Sequence, residues 1–331
     1  MGDLCIRPIE KDRWDEVIRR FPFNLYNTYS WTDTICRSFG GEAIFLSFLR
    51  DGEIVGCANL IIMKYAFLRV GFAPFPRIWG KPTLLVADDE RNNIGQFMDL
   101  LCRQLRRMNV GMLHIYLPIP QDSFRLIKRL ETEIVALDKC SEEYWARSLS
   151  RGKRRDVHYA QKFGIHVKAA RNIRDLTLFY KMYSEVWNHM DVFRWARKKH
   201  PISYFGSLLQ NPRNRLWLAY RDDCVMAGSM ITSGNETACY QHNASFRRYR
   251  KYFPNHLLMW HAIRSAAAEG YKYFDLGGVN RTSVSGTFKT GWGETTQETY
   301  HYYSIPLNAG GRVINGILRC ASVVRGSSAR P

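Results

Sequence analysis

The sequence lacks the patterns that identify metalloenzymes, redox proteins and disulfide-linked secreted proteins. Its eight cysteines are scattered and include no Cys-x-x-Cys pair, and its nine histidines include no His-Glu-x-x-His motif. Disulfide frameworks and zinc sites need closer and more regular spacing than this. We therefore expect reduced cysteines and no metal centre.

Membrane-spanning and targeting segments are also missing. No apolar run approaches the roughly 20 residues that a transmembrane helix needs. The first residues, MGDLCIRPIEKDRW, carry charges where a secretory signal peptide is apolar. Ile6 stands where the N-myristoylation pattern has Ser or Thr. We expect a cytoplasmic protein, and the sequence leaves its oligomeric state open.

Acidic residues are few relative to basic ones. The chain has 30 Asp and Glu against 48 Lys and Arg, which gives a formal net charge of +18. Such an excess favours a polyanionic partner (nucleic acid, a nucleotide-bearing substrate or an anionic membrane face), although some soluble proteins share it without one. A hydrophobic content of 46% indicates a folded protein, and a length of 331 residues favours two domains.

Apolar periodicity predicts one set of elements in the first half of the chain. The strands AIFLSFLR and EIVGCANLIIMKY flank Asp51-Gly52, a strong hairpin signal. The prolines of GFAPFPRIWGKP predict a loop for that whole segment. Amphipathic spacing between Arg91 and Met108 predicts a helix that leads into the strand MLHIYLPI.

The second half repeats this order. A helix from Arg174 to His189 precedes hairpin strands around Asp222-Asp223, then the strand TACYQHNASF, a helix from Asn255 to Gly270 and the strand YKYFDL. EIVGCANL in the first half is similar to VMAGSMI in the second, and RRMNVGMLHIYL to AAAEGYKYFDL. Self-similarity on a scale of roughly 150 residues predicts two copies of one α/β fold.

Each copy reads as strand, helix, hairpin strands, helix and strand. That order predicts an α+β mixed sheet with helices on its faces, because a doubly wound sheet alternates strand and helix throughout. Charges accumulate near Asp138–Arg151. We place the first domain at 1–140, the second at 141–308 and a C-terminal helix and tail at 309–331, which we expect to pack on the first domain.

The segment from Tyr271 to Gly293, YKYFDLGGVNRTSVSGTFKTGWG, contains the strongest functional signal. It predicts a buried strand, a glycine-rich loop and a compact turn that carries Phe288 and Lys289. A lysine between an aromatic residue and glycines, close to a strand end, is typical of a site at the open end of a sheet. A structural loop with a surface lysine is the alternative.

The order of elements resembles the Gcn5-related N-acyltransferase (GNAT) fold. The tandem copies, with FDLGG and then FKTGWG, resemble the FemAB family of aminoacyl-tRNA-dependent transferases, in a short form without the helical arm. Those enzymes build peptidoglycan bridges and have relatives in natural-product assembly. The resemblance covers most of the chain, and its most specific residues are Asp275, Gly277, Gly278, Phe288, Lys289, Trp292 and Gly293.

This resemblance implies transfer of an amino acid from aminoacyl-tRNA to an amine of a cell-wall precursor or small metabolite. It implies no cofactor and no covalent enzyme intermediate. The second domain then carries the donor and catalytic side, and the first domain the acceptor side. Lys289 is expected beside the developing oxyanion, Phe288 against the terminal adenosine, and Asp275 as an orienting group. A surface lysine, a core phenylalanine and a strand-end aspartate that bonds loop N–H groups are the alternatives.

The lack of a glycine-rich turn favours aminoacyl-tRNA over acyl-CoA as the donor. Acetyl-CoA enzymes of this fold hold the pyrophosphate on a glycine-rich turn before the central helix. The matching stretch here, RRYRKYFPNHLLMWHAI, contains no glycine and includes Pro254. An acyl-CoA-dependent N-acyltransferase is therefore the second hypothesis, and a non-catalytic RNA-binding module on the same fold is the third.

Basic runs provide candidate contacts to tRNA, because cations interleaved with aromatic rings can follow a phosphate backbone and stack on bases. A solvated surface is the alternative, and ARKKH (Ala196–His200) is a weaker candidate. The first run comprises Arg147, Arg151, Lys153, Arg154, Arg155 and Lys162, and the second comprises Arg247, Arg248, Arg250 and Lys251 among Phe246, Tyr249, Tyr252 and Phe253.

Further residues are candidates for substrate binding. His242 can shuttle a proton near neutral pH, or it can be a structural histidine. Aromatic rings with a few cations suit a phosphorylated or carboxylated acceptor, although core packing explains Trp31 and Trp79 equally well. The first-copy set is Tyr26, Tyr29, Trp31, Arg77, Trp79 and Lys81, and the second-copy set is Tyr240, His242, Asn243 and Asn255.

Overall fold

A computed structural model describes residues 2–75, 80–137, 148–188, 199–279 and 284–316. The chain divides into two compact units. One contains the residues up to Leu130 together with those from Thr299 onward, and the other runs from Glu131 to Glu298. The sequence-based boundary lay between residues 140 and 141, and residues 317–331 of the expected tail lie outside the described residues.

The first unit follows the expected order of elements. Its hairpin turns at Asp51 and Gly52, whose φ angles are 52° and 87°. The elements are β1 (Leu4–Pro8), α1 (Trp14–Ile18), α2 (Tyr29–Phe39), β2 (Glu42–Arg50), β3 (Glu53–Tyr65), β4 (Leu68–Ala73), β5 (Leu84–Val86), α3 (Ile94–Arg107) and β6 (Met112–Leu117).

The rest of the chain repeats that order, with one extra strand and one extra helix before the repeat. A short 3-10 turn, Arg247–Tyr252, precedes its central helix. The elements are β7 (Leu126–Ala136), α4 (Arg151–Lys162), β8 (His166–Ala169), α5 (Ile173–Asn188), α6 (Ile202–Leu209), β9 (Arg215–Arg221), β10 (Cys224–Gly234), β11 (Thr237–Ser245), α7 (Pro254–Ala268), β12 (Tyr273–Gly278), α8 (Val284–Lys289) and β13 (Thr295–Pro306).

Each unit has a mixed sheet, as predicted. The first has the strand order β1-β2-β3-β4-β6-β13, with β5 on β3, and the second has β7-β12-β11-β10-β9-β8. One pair in each sheet is parallel, β4 with β6 and β11 with β12. The equivalent positions of these two pairs confirm that the fold is present twice.

The strand that follows each repeat pairs in the sheet of the other. β7 follows the first repeat and pairs antiparallel with β12 in the second unit, whereas β13 follows the second repeat and pairs antiparallel with β6 in the first. Apolar periodicity cannot reveal this exchange, because it reports which face of a strand is buried and not which partner the strand takes.

The two helix–strand segments that match in sequence also match in structure. Asn109 follows α3 with a φ of 56°, and Gly270 follows α7 with a φ of 84°. The next amide N–H donates back to the helix in both places, from Val110 to the Leu105 carbonyl and from Tyr271 to the Ala266 carbonyl. This left-handed helix end turns the chain directly into β6 or β12.

Helices cover both faces of the second sheet. α4 and α7 cover one face, where Ala219 and Ala227 join their apolar core. α5 lies on the other face, so close to β10 that a Cβ on Gly228 would lie 2.7 Å from the Phe179 ring and 2.8 Å from Leu218. Adjacent strand residues therefore face different helices.

Two expectations about elements were wrong or incomplete. The expected loop 71–82 begins inside β4, because the apolar residues up to Ala73 pair in the sheet before the first proline. We did not expect β5, β7, α4 or α6, which are short or rich in charged residues. None of the helices in the described parts of the chain is long and apolar enough to cross a membrane.

Candidate functional site

The parallel strands β11 and β12 separate part-way along their length. Their pairing runs from Thr237 opposite Tyr273 only as far as Cys239 opposite Asp275, although β11 continues to Ser245. The register against β10 also shifts between Tyr240 and His242. This shift is a β-bulge, which bends a strand and commonly re-aims side chains near functional sites. The sheet of the second unit therefore opens beside Tyr240.

The equivalent strands of the first unit do not open in this way. β4 pairs with β6 from Val70 opposite Met112 to Ala73 opposite Ile115, which is the full remaining length of β4. Of the two described parallel pairs, only β11 and β12 stop pairing while both strands continue. The candidate site therefore belongs to the second unit.

Asp275 stabilises the end of β12 at this opening. Its side chain is fully buried, and Oδ1 accepts hydrogen bonds from the Thr132 hydroxyl at 2.5 Å and from the Gly277 N–H at 2.7 Å. Gly277 has a φ of 73°, a left-handed conformation that favours glycine. Of the two roles considered for Asp275, these contacts match the structural one.

Lys289 ends α8 and reaches the same strand end. Its Nζ donates to the Gly278 carbonyl oxygen at 2.9 Å. Burial lowers the pKa of Lys289 to about 8, and the nearby Asp275 carboxylate opposes that shift. Lys289 is therefore a partly buried ammonium at the strand opening, and it is not a surface lysine.

Phe288 packs in an aromatic cluster beside the opening. Its ring centroid lies 5.0 Å from His256, 5.9 Å from Trp292 and 6.3 Å from Tyr240. Trp292 is fully buried, and its Nε1 donates to the Phe288 carbonyl oxygen at 2.7 Å. The FKTGWG motif thus forms a closed turn that holds Phe288 and Lys289 together.

Lys153 takes part in this cluster, contrary to its expected role as an exposed phosphate contact. It is buried, and its Nζ donates to the Phe288 carbonyl oxygen at 2.7 Å. The ammonium lies 5.0 Å from the centroid of the Phe288 ring and 5.2 Å from that of Trp292. Burial lowers the pKa of Lys153 to about 8, although Asp156 raises it.

Helical phase explains why sequence reasoning misplaced Lys153. The buried residues of α4 are Lys153, Asp156, Val157 and Ala160, which lie on one helix face. We grouped these cations because they are close together in the sequence. Residues three and four positions apart lie on the same face of a helix, and this spacing puts Lys153 on the face that carries the apolar residues.

His256 was not expected in the site. It lies in the first turn of α7, with Nε2 3.5 Å from Asp156 Oδ2. Burial lowers the pKa of His256 to about 4, and Lys153 and Arg155 act in the same direction. A neutral imidazole therefore packs edge-on against Phe288 at physiological pH.

Comparison with known proteins shows which folds this chain resembles. Residues 147–289 match the family model described as an acetyltransferase (GNAT) domain. The crystal structure of FemX superposes with a TM-score of 0.64 at 16% identity, over 90% of this chain and 97% of that one. The chain has a tandem GNAT fold similar to that of FemX.

Two further solved structures have a similar fold. A tandem GNAT protein from the clavulanic acid biosynthesis pathway matches with a TM-score of 0.54 at 12% identity, over 92% of this chain and 99% of that one. The C-terminal domain of a putative lysylphosphatidylglycerol synthetase from Agrobacterium fabrum matches with a TM-score of 0.55 at 12% identity. This match covers 95% of this chain and 96% of that one. No curated protein sequence matches the chain.

The second basic run lies on the turn before α7 of the tandem GNAT fold. All four of its cations, Arg247, Arg248, Arg250 and Lys251, are exposed. Arg248 lies over the Tyr249 ring at 4.8 Å. These cations are accessible to an anionic partner, as expected.

Tyr252, an aromatic residue of that run, is already stacked within the protein. It lies against Phe163 at 4.0 Å, and Arg221 lies 3.9 Å from the centroid of the same Phe163 ring. Tyr252 therefore helps to fix the turn to α4.

The members of the first basic run differ in exposure. Arg151 and Lys162 are exposed and Arg154 is half-buried, whereas Arg155 pairs with Asp156 at 2.9 Å. Arg147 lies outside the described residues. Apart from Lys153, the described part of this run lies at least partly at the surface.

The ARKKH segment is described only at its end. Residues 196–198 lie outside the described residues. Lys199 donates to the Ser184 hydroxyl at 2.9 Å, and His200 is buried. These contacts do not fit a basic surface at this end of the segment.

The structure separates residues of β11 that we expected in one place. Tyr240 joins the core on the α7 side. His242 turns toward α5 and α6, where Nε2 lies 3.1 Å from the Tyr204 hydroxyl and its ring lies 5.2 Å from that of His200. Burial and the neighbouring His200 hold the pKa of His242 well below its ordinary value. The contacts of His242 match the structural alternative.

Two other second-copy candidates stay close to the opening. Asn243 is exposed near the end of β11. Asn255 lies in the first turn of α7 and donates to the Ser245 hydroxyl at 3.1 Å. Asn255 therefore ties the start of α7 to the end of β11.

The first-copy candidates are mostly buried within the first unit. Trp31 and Tyr26 pack edge to face with centroids 5.0 Å apart, and Lys81 is buried as well. Tyr29 is half-buried, with its ring 5.8 Å from that of Phe45. Trp31 and Tyr26 are core residues, whereas Arg77 and Trp79 lie outside the described residues.

Proposed function

We propose that the protein is an aminoacyltransferase that moves an amino acid from aminoacyl-tRNA to an amine. The observation that carries the proposal is the Lys289 ammonium, held on the Gly278 carbonyl where β11 and β12 separate. The match of residues 147–289 to a GNAT domain supports acyl transfer in general. The fold likeness to FemX supports the choice of donor.

Lys289 acts on the ester carbonyl of the donor in this proposal. The acceptor amine attacks that carbonyl carbon, a C–N bond forms, and the carbon–oxygen bond to the ribose breaks. The proton lost by the amine reaches the ribose oxygen, which leaves as a hydroxyl. Lys289 stabilises the negative charge that develops on the carbonyl oxygen, because an ammonium can donate there without rearrangement of the site.

No cofactor is needed for this reaction, because the amino acid enters already activated as an ester. Phe288 lies one residue before Lys289, and its ring lies near Tyr240 beside the opening. We assign it to the terminal adenosine of the tRNA, since stacking on an aromatic ring accepts any base. We assign the acceptor to the first unit.

The turn before α7 supports a tRNA donor over acyl-CoA. It carries four exposed cations instead of glycines, and α7 begins at Pro254, which has no N–H to offer a phosphate. Acyl-CoA remains the second candidate, because the matching family model is described as an acetyltransferase.

A donor assay tests the proposal. The purified protein is incubated with a metabolite extract and either total tRNA charged with labelled amino acids or labelled acetyl-CoA. We expect label from tRNA in an RNase-resistant, non-protein product, and no transfer from acetyl-CoA. Transfer from acetyl-CoA alone would establish the second candidate, and RNA binding without any transfer would favour the RNA-binding module.

A further inference from the structure

Two lysines meet the last turn of α8 from different elements. Lys289 belongs to α8 itself and reaches β12. Lys153 comes from α4, and its Nζ donates to the carbonyl oxygens of Thr287 at 3.3 Å and Phe288 at 2.7 Å. Carbonyls at a helix C-terminus lack partners within the helix, and a cation there is also favoured by the helix dipole. Lys153 therefore stabilises the end of α8.

The charge on Lys153 is not neutralised by a direct ion pair in the described structure. Asp156 is the nearest acid on the same helix face, and its carboxylate contacts Arg155 and His256. The positive charge of the ammonium is stabilised mainly by main-chain carbonyl oxygens and by the aromatic rings of Phe288 and Trp292. An apolar side chain would fill this space without the cost of burying a charge, so the contact points to a specific role in orientation.

The contacts of Lys153 lead directly to Lys289. The Phe288 carbonyl accepts from both Lys153 Nζ and Trp292 Nε1, each at 2.7 Å. The next residue in the chain is Lys289. Movement of the Phe288 carbonyl would therefore move Lys289 with it.

The turn after Lys289 is fixed by the N-terminus of the same helix, α4. The Ser150 N–H donates to the Gly291 carbonyl oxygen at 3.0 Å. Gly291 has a φ of 78°, and a Cβ there would lie 2.9 Å from the Ser150 hydroxyl oxygen. α4 thus holds the main chain on both sides of Lys289.

We propose that Lys153 is a positioning residue that sets the location of Lys289, and that it is not a contact to tRNA phosphates. The catalytic part of this inference rests on the proposed function, because it requires Lys289 to act on the donor ester. The positional part does not depend on it.

The catalytic part is tested with Lys153→Met, Lys153→Arg and the matched control Lys181→Met, whose lysine is exposed on α5. We expect Lys153→Met to lower the single-turnover transfer rate at saturating donor by about 100-fold, the effect of a displacement on the order of 1 Å. The Kd for aminoacyl-tRNA stays within about twofold, because a buried lysine contacts no phosphate. Lys153→Arg restores much of the rate, since a guanidinium can still donate to the carbonyls.

Other outcomes overturn the inference. A weaker Kd with an unchanged transfer rate in Lys153→Met would make Lys153 a phosphate contact. An unchanged rate and Kd would make it a packing residue only. A loss of rate that Lys153→Arg does not restore, with a lower unfolding temperature in both variants, would show general destabilisation.

The positional part is tested without any substrate. Amine labelling followed by mass spectrometry measures how fast Lys289 reacts as a function of pH, and hydrogen exchange reports on residues 284–293. We expect Lys153→Met, but not Lys153→Arg or Lys181→Met, to expose Lys289 to the reagent and to speed exchange. Unchanged labelling and exchange in Lys153→Met would refute the inference even if the wild type proved inactive with every donor.

Discussion

The Nζ atom of Lys289 donates to the carbonyl oxygen of Gly278 at 2.9 Å and thereby joins α8 to the end of β12. The acceptor is a neutral carbonyl, and the nearby Asp275 carboxylate is already bound to Thr132 and Gly277. A developing oxyanion can therefore accept a second hydrogen bond from Lys289, because an ammonium has three N–H donors and no direct salt bridge to Asp275 has to break. This arrangement suits a cation that acts only in the transition state.

The pH dependence of transfer should follow the charge on Lys289. Burial lowers the pKa of this lysine to about 8, so its protonated fraction falls as the pH rises through that value. We expect single-turnover rates, corrected for spontaneous ester hydrolysis, to decline above pH 8. Lys289→Arg should reduce this decline to the part that Lys153 causes, because a guanidinium does not titrate in that range, whereas burial lowers the pKa of Lys153 to about 8 as well. The same alkaline decline in Lys289→Arg would assign it to another group.

The exposed turn before α7 should determine how tRNA binding depends on salt. Arg250 is exposed in that turn. If it contacts a phosphate, Arg250→Ala should reduce the slope of log Kd against log salt concentration by about 0.7 to 0.9. Filter binding at several salt concentrations measures this slope, and Lys181→Met is the control. An unchanged slope and affinity would remove Arg250 from the RNA contact surface.

Thr132 should stabilise the protein through Asp275. Its hydroxyl donates at 2.5 Å to a fully buried carboxylate. Thr132→Val keeps the shape of the side chain but leaves that carboxylate short of a donor, so we expect unfolding to become easier by about 1 to 3 kcal/mol. Urea denaturation measures the change, with Thr132→Ser as the variant that retains the hydroxyl. Equal stability of the Val and Ser variants would contradict this account.

Acid should destabilise both units through buried histidines. Burial lowers the pKa of His114 in the first unit and of His256 in the second to about 4, from an ordinary value of 6.5. The unfolded chain therefore binds more protons between these values, and stability falls as the pH drops from 6.5 to 4. Denaturation midpoints at pH 7 and pH 5 test this. His256→Asn should weaken the dependence in the second unit, and an identical dependence would show that other groups cause it.

The sequence predicted the fold well where the signals were local. The turn at Asp51-Gly52 and the two similar helix–strand segments establish the duplicated order of elements, because turns and helix ends depend on neighbouring residues. The exchange of β7 and β13 depends on pairing between distant segments. No local pattern encodes such a pairing, so it appeared only in the structure.

The candidate site was predicted in part. The motif correctly brought together Asp275, Phe288 and Lys289. It did not indicate Lys153, whose role depends on the phase of α4, or the separation of His242 from Tyr240, which follows from strand alternation and a β-bulge. The roles of these residues depend on how deeply their side chains are buried and on the direction in which they point. Residue type alone indicates neither.

The most direct test of the central claim is the single-turnover rate of label transfer from aminoacyl-tRNA in the wild type and in Lys289→Met. We expect a loss of about 100- to 1,000-fold, the usual effect of removing one oxyanion donor. The Kd for tRNA and the unfolding temperature should stay close to the wild-type values, as in Lys181→Met. Transfer from tRNA at an undiminished rate in Lys289→Met would contradict the role assigned to Lys289.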